Sequence, residues 1–181
     1  MKFSIRRMTL DDIEQVVAID QASFSLPWPE RTFRYEVAEN SASRPWVVDV
    51  DGRVAAMIVV WFIIDEAHIA TVASHPEYRG CGLGQWLMLA LIDKAQERGA
   101  RVATLEVRIS NLPAQKLYDK LGFDVVGTRR KYYRDGEDGL IMTTPPLAEP
   151  DMQAKLKAAR EDALERMTRC FGNPGATDGT R

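Results

Sequence analysis

Cysteine and histidine are scarce in this chain. Cys81 and Cys170 are its two cysteines, and His68 and His75 its two histidines. So few cysteines fit a reducing compartment better than a disulfide framework. His68 and His75 are too isolated for a metal site, and no Cys/His ligand spacing exists, so no metal is expected. Excess basic charge is missing too: the net charge is −2, which leaves no electrostatic footprint for nucleic acid. The longest strictly apolar run, Val54 to Ile64, has 11 residues, against the ~18 or more that a membrane helix needs. The start, MKFSIRRMTLDD, carries basic residues without the apolar stretch of a secretory signal. No internal repeat or low-complexity tract appears. The expectation is a soluble cytoplasmic protein with neither nucleic acid nor membrane as partner.

What is present is ordinary globular material, 45% apolar and 28% charged over 181 residues, enough for one domain with a sizeable core. Thr9-Leu10-Asp11-Asp12 resembles a capping box and opens a helix to about Ser23. A proline-braced aromatic loop, Phe24 to Glu30, leads into a second helix with Phe33, Val37 and Ala38 on one side. Asp51-Gly52 is a two-residue hairpin signal between strands at Trp46–Val50 and Arg53–Ile64. The second of these is apolar on both faces and is expected at the centre of a sheet. Further strands are expected at Ala67–Ser74, Val102–Ile109, Phe123–Gly127 and about Gly139–Thr143. Helices are expected at Gly82–Arg98, with Leu83, Leu87, Ala90, Leu91 and Ala95 buried, and after Asn111, with Ala114, Leu117, Tyr118 and Leu121 buried. The order β-α-α-β-β-β-α-β-α-β-β predicts an α/β fold, a mixed sheet with helices on both faces. The strand–helix–strand crossover from Ala67 to Ile109 should be parallel. Residues 1–147 form the expected domain. Residues 148–181 are a charged extension: Met152, Leu156, Ala163 and Met167 fall at helical spacing, and the tail from Gly172 is expected to be disordered.

The chemistry concentrates between Ala67 and Gln85. A strand and Pro76 lead into Arg79-Gly80-Cys81-Gly82-Leu83-Gly84, and a helix follows directly. Three glycines in five residues let the backbone approach a ligand closely, and the helix start aims unpaired N–H groups at one point, which suits a pyrophosphate. The Gly-Lys-Ser/Thr ending of a P-loop is absent, and Gln85 stands where the dinucleotide pattern needs glycine. An ordinary glycine-rich turn fits these six residues equally well. The spacing Arg-x-x-Gly-x-Gly resembles the acetyl-CoA loop of the GNAT acetyltransferases.

The rest of the chain carries the same resemblance. Leu105-Glu106-Val107-Arg108-Ile109-Ser110-Asn111, then Ala114, then Leu117-Tyr118-Asp119-Lys120-Leu121-Gly122-Phe123 look like the signature of GNAT N-terminal acetyltransferases. With Pro27-Trp28-Pro29-Glu30 upstream and Tyr132-Tyr133 through Asp138 downstream, the chain most resembles the RimI type. The resemblance covers roughly residues 3 to 147. It implies the GNAT fold and transfer of acetyl from acetyl-CoA to a protein N-terminus, the alanine of a small-subunit ribosomal protein. Broader N-terminal, lysine or small-amine acetylation and a non-catalytic acyl-CoA sensor are the alternatives.

The resemblance implies Glu106 as general base and Tyr118 as general acid. Read from the residues alone, Glu106 is an exposed strand residue, and Tyr118 belongs to a buried stripe; its ring can pack while its hydroxyl reaches a sulfur. Val72, Ala73 and Ser74 match the strand whose backbone pairs with the pantetheine arm and supplies an oxyanion N–H. Ser74 replaces the usual valine, at a position that acts through backbone. Arg79, Gly80, Cys81, Gly82, Leu83, Gly84 and Gln85 would hold the diphosphate, with Cys81 as a small loop residue. Asn111 matches a contact to the coenzyme arm and fits a helix N-cap equally. Trp28, Tyr132 and Tyr133 would meet the peptide, the tyrosines as a lip; an aromatic hairpin end is their plainer reading.

Overall fold

The computed structural model describes residues 1–172; the expected disorder of the tail beyond Gly172 lies outside the described residues. Seven strands form one sheet: β1 (Phe3–Arg7), β2 (Ser43–Val50), β3 (Arg53–Ile63), β4 (Glu66–Ser74), β5 (Val102–Arg108), β6 (Asp124–Arg129) and β7 (Gly139–Thr143). Their spatial order is β1-β2-β3-β4-β5-β7-β6, and every pairing is antiparallel except β4 with β5. Five α-helices accompany the sheet among the described residues: α1 (Ile13–Ser23), α2 (Glu30–Ala38), α3 (Leu83–Glu97), α4 (Leu112–Lys120) and α5 (Pro150–Phe171).

Local chemistry sets these elements. The Thr9 amide donates to Asp12 Oδ2 at 2.8 Å, closing one arm of the expected capping box, and Arg6 grips both oxygens of the same carboxylate. Asp51 and Gly52 turn with φ of 50° and 85°, the left-handed pair of a type I′ hairpin. β3 is buried along most of its length because its two sides feed two cores. Val54, Met57 and Val59 pack with α1 and α2, while Ile58 and Val60 pack with α3 and α5. On α2 the buried polar position is Glu36, which accepts from Trp61 Nε1 at 2.8 Å and Asn40 Nδ2 at 3.0 Å; Ala38, expected inside, is exposed.

α5 gives α3 a second buried side. Met88, Leu89 and Ile92 are buried in addition to Leu83, Leu87, Leu91 and Ala95. Met152, Leu156, Ala159, Ala163 and Met167 form the α5 stripe in the same core, and the far end closes with Phe171 against Phe3 and Tyr78. Cys170, in the last turn of α5, is bonded to Cys81 in the glycine loop, with their Cα atoms 5.6 Å apart. This corrects the expectation that the two cysteines stay reduced and that Cys81 is merely a small loop residue. The cysteines lie 89 residues apart in sequence, and only the docking of α5 on α3 brings them together.

Candidate active site

β4 and β5 pair only over Glu66–Ile69 with Val102–Leu105. Beyond that point β3 still holds β4 as far as Ser74, and β7 still holds β5 as far as Arg108, so the two strands are drawn apart. The divergence leaves one edge of β4 with unpaired backbone N–H and C=O groups, and such groups require partners. The resulting cleft is lined by Ile69 to Val72 on one side and Leu105 to Arg108 on the other. Asn111 and Tyr118 close one end; Asp20 reaches it from α1, and Trp28 and Tyr133 from the surrounding loops.

The glycine loop lies past the end of β4. Gly80 and Gly82 have φ of +80° and +83°. Gly82 is the N-cap of α3, and the first amide bonded within that helix is Trp86 N, to Gly82 O at 2.9 Å. The amides of Leu83, Gly84 and Gln85 therefore have no acceptor in the helix, and they present an anion cradle. Several side chains of this stretch are engaged elsewhere. Leu83 is buried. Gln85 Nε2 donates to Ala159 O and Asp162 Oδ2 on α5, at 2.7 and 3.0 Å. Arg79 Nη2 donates to Ala22 O and Ser23 Oγ at the end of α1, at 2.9 and 3.0 Å. What this loop can offer a diphosphate is mainly backbone, which fits a phosphate held by main-chain amides.

Glu106 does not behave as an exposed strand residue. Its side chain is 8% exposed, its Oε2 lies 2.7 Å from His68 Nε2, and its Oε1 lies 3.2 Å from Arg129 Nε. The hydrogen bond from His68 is the main force holding the Glu106 carboxyl below the usual carboxylate range, with the Arg129 charge adding to it. An ionised carboxylate only accepts, so the His68 Nε2 carries the hydrogen. Sequence reasoning passed over His68. Its partner becomes visible only through the parallel register, which sets His68 opposite Thr104 and thus diagonal to Glu106.

Tyr118 is buried, its ring 5.9 Å from Phe123, and it still lines the cleft. Burial, together with nearby Tyr133, raises its pKa well above that of free tyrosine, so the hydroxyl keeps its proton. Asn111 Oδ1 accepts from Ala114 N at 3.2 Å as an N-cap, while the residue also faces the cleft, so the two readings coexist. The aromatic pair divides: Tyr133 lines the cleft, and Tyr132 packs against Gly139 and the Arg129 guanidinium. Burial pushes the Tyr133 hydroxyl up to about 12. Arg108 supports that ring from 4.0 Å and is itself paired with Asp135 and Glu137 at 2.8 and 2.7 Å. The hydrogen bond from the Ser110 hydroxyl, followed by Arg108, holds the Glu137 carboxyl down at about 2. No group of three or more His, Cys, Asp or Glu residues is placed to hold a metal among the described residues.

The structure thus holds a cleft between diverging parallel strands and, past the end of β4, a helix start with unpaired amides. The acetyltransferase (GNAT) family pattern matches residues 13–123. The chain belongs to the GNAT acetyltransferase family. A Bacillus subtilis (strain 168) relative, provisionally named a ribosomal protein bS18 alanine N-acetyltransferase, is 42% identical over 142 residues, covering 78% of this chain and 94% of its own. The Escherichia coli (strain K12) ribosomal protein bS18 alanine N-acetyltransferase is 35% identical over 145 residues, covering 78% and 97%. A crystal structure of the ribosomal-protein-S18-alanine N-acetyltransferase from Escherichia coli superposes with a TM-score of 0.73 at 33% identity, over 82% of this chain and 97% of that one. The mixed seven-stranded sheet is thus the GNAT fold, and the open β4 edge is a feature of this GNAT acetyltransferase's own strand pairing.

Proposed function

We propose that this enzyme transfers the acetyl group of acetyl-CoA to the N-terminal α-amine of a protein, with the terminal alanine of a small-subunit ribosomal protein as substrate. The observation that carries the reading is the free edge of β4 facing Glu106 across the cleft, with the glycine loop and the unpaired α3 amides following β4 along the chain. The names borne by the Bacillus and Escherichia relatives support the substrate class. The family uses acetyl-CoA, and the residues present fit that group: an unpaired strand edge for the extended amide arm, and three helix-start amides for the diphosphate.

In this reading the backbone of Val72, Ala73 and Ser74 pairs with the pantetheine arm, and one of its amides faces the oxygen on which charge develops. Glu106 takes a proton as the amine attacks. His68 and Arg129 keep that carboxylate ionised through the neutral range and thereby make it a weak base. It is therefore matched to an amine that arrives neutral. An α-amine loses its proton near pH 7.7–8.0, whereas a lysine amine does so only near 10.4. This difference favours α-amines over lysine. Tyr118, protonated at every working pH, delivers its hydrogen to the departing sulfur. Trp28 and Tyr133 flank the approach of the peptide.

The test is acetyl-CoA with a panel of free N-terminal peptides containing internal lysine, read by mass. Acetylation confined to the α-amine of alanine-starting peptides is the expected result. Acetyl on lysine, or acetyl-CoA binding without transfer to any amine, would reject the reading.

A further inference from the structure

Asp20 is a carboxylate on the cleft wall that the reading above leaves without a task. It lies in α1, one turn before the aromatic loop, and is 1% exposed. Its two oxygens differ. Oδ2 accepts from the Trp28 amide at 2.7 Å and so braces the loop. Oδ1 is buried, and no donor among the described residues reaches it. A buried carboxylate oxygen without a donor is costly, and such cost is kept where a ligand supplies the missing donor. Asp20 faces the same cleft as Glu106, Arg108, Tyr118 and Tyr133.

Those neighbours restrict what Asp20 can do. Glu106 is committed to His68 and Arg129, and Arg108 to Asp135 and Glu137. Tyr118 and Tyr133 hold their protons. Arg79 is turned to Ala22 and Ser23, and Glu36 of the adjacent α2 is taken by Asn40 and Trp61. Of the two carboxylates lining this cleft, the oxygen that no donor among the described residues reaches is Asp20 Oδ1.

We propose that Asp20 receives the α-ammonium group of the incoming peptide through Oδ1 and takes its first proton, so that a neutral amine faces the acetyl group. The step balances simply: an N–H bond breaks, an Oδ1–H bond forms, and two opposite charges become a neutral acid and a neutral amine. Asp20 returns its proton to solvent when the acetylated peptide leaves. A desolvated cleft favours that exchange, because it removes two charges from a medium that solvates them poorly. Burial already pushes the Asp20 carboxyl up to about 6, nearer the amine than any other carboxylate on the cleft. The inference rests on N-terminal acetylation as the reaction, and Glu106 then handles only the second proton.

Asp20→Asn separates this role from the brace. The amide oxygen of asparagine can still accept from Trp28 N, while its NH₂ offers a donor where the peptide needs an acceptor. The measurement is kcat/KM for an alanine-starting peptide from pH 5.5 to 9.5, on the wild-type and substituted enzymes. The wild type should hold a nearly constant value between about pH 6.5 and 8. Asp20→Asn should rise about tenfold per pH unit to the amine's own value near 8, so that a deficit of about ten- to hundredfold at pH 6.5 to 7 closes to within about threefold at pH 9. Binding of acetyl-CoA should not change. A deficit that is the same at every pH would make Asp20 a brace only and overturn the proposal. If the variant does not fold, the wild-type profile decides: a rise of tenfold per unit up to pH 8 overturns the proposal without any variant. No transfer by the wild type to any peptide would end both readings, whereas transfer with that slope would end this one alone.

Discussion

The bond between Cys81 and Cys170 joins residues 89 apart in sequence and closes a loop that takes in α3, β5, α4, β6, β7 and nearly all of α5. Replacing Cys170 by serine opens the loop and leaves the α5 stripe in place. In the chain-entropy description a closure of this length restricts the unfolded chain by about 15 cal/mol/K, or about 4.6 kcal/mol at 25 °C. Native adjustment at Cys81 and residual order in the unfolded chain reduce what is realised, so a loss of about 2–4 kcal/mol is expected. Urea unfolding followed by far-ultraviolet circular dichroism measures it, on the untreated protein, the reduced protein and Cys170→Ser. The reduced protein and the serine variant should unfold at matching, lower midpoints, and the untreated protein should carry a mass about 2 Da below the sum for two thiols. Two free thiols in the untreated protein, or one midpoint for all three samples, would show that no such loop is closed. Such a result would mean that α5 docks without the covalent link.

Glu106→Gln keeps the shape of the side chain and removes the proton acceptor; kcat should fall about 10²- to 10⁴-fold with acetyl-CoA affinity near normal, and wild-type turnover would remove the role. Tyr118→Phe keeps the packed ring and deletes the proton, so kcat should fall tenfold or more while thermal stability changes little; unchanged kcat would assign Tyr118 to the core alone. Gly82→Ala puts a Cβ 2.8 Å from the Ala163 carbonyl at a φ of +83°, and calorimetry should find a loss of about 1–3 kcal/mol, with an unchanged melting temperature contradicting the α3–α5 contact. Asp20 is a carboxyl whose folded value, about 6, lies above its unfolded 3.8, so the folded state binds the extra proton and stability falls as pH rises through that window. Asp20→Asn removes the buried charge and should stabilise the fold at pH 8 by up to about 3 kcal/mol, the gain vanishing toward pH 4; equal stabilities at pH 8 would mean the ionised oxygen is solvated.

Motif and periodicity carried far in this chain because the elements are locally consistent. Asp51-Gly52 turns where a two-residue hairpin must, the doubly apolar β3 sits inside the sheet, and Asn111 caps the helix it precedes. The glycine stretch ends in a helix start with free amides, as spacing alone requires. Alternation could place Glu106 on the polar face of β5. It could not say that this face looks into a cleft rather than at water, because exposure depends on what the neighbouring strand does.

The order of elements, the glycine turn and the GNAT motif residues are legible in the amino-acid order, since each follows from neighbours a few residues apart. Tertiary structure alone decided three things: the divergence of β4 from β5, the meeting of His68 with Glu106, and the covering of α3 by α5 with its Cys81–Cys170 bond. Each depends on register or docking between segments 36 to 89 residues apart, where a shift of one position would exchange every partner and leave the local pattern unchanged.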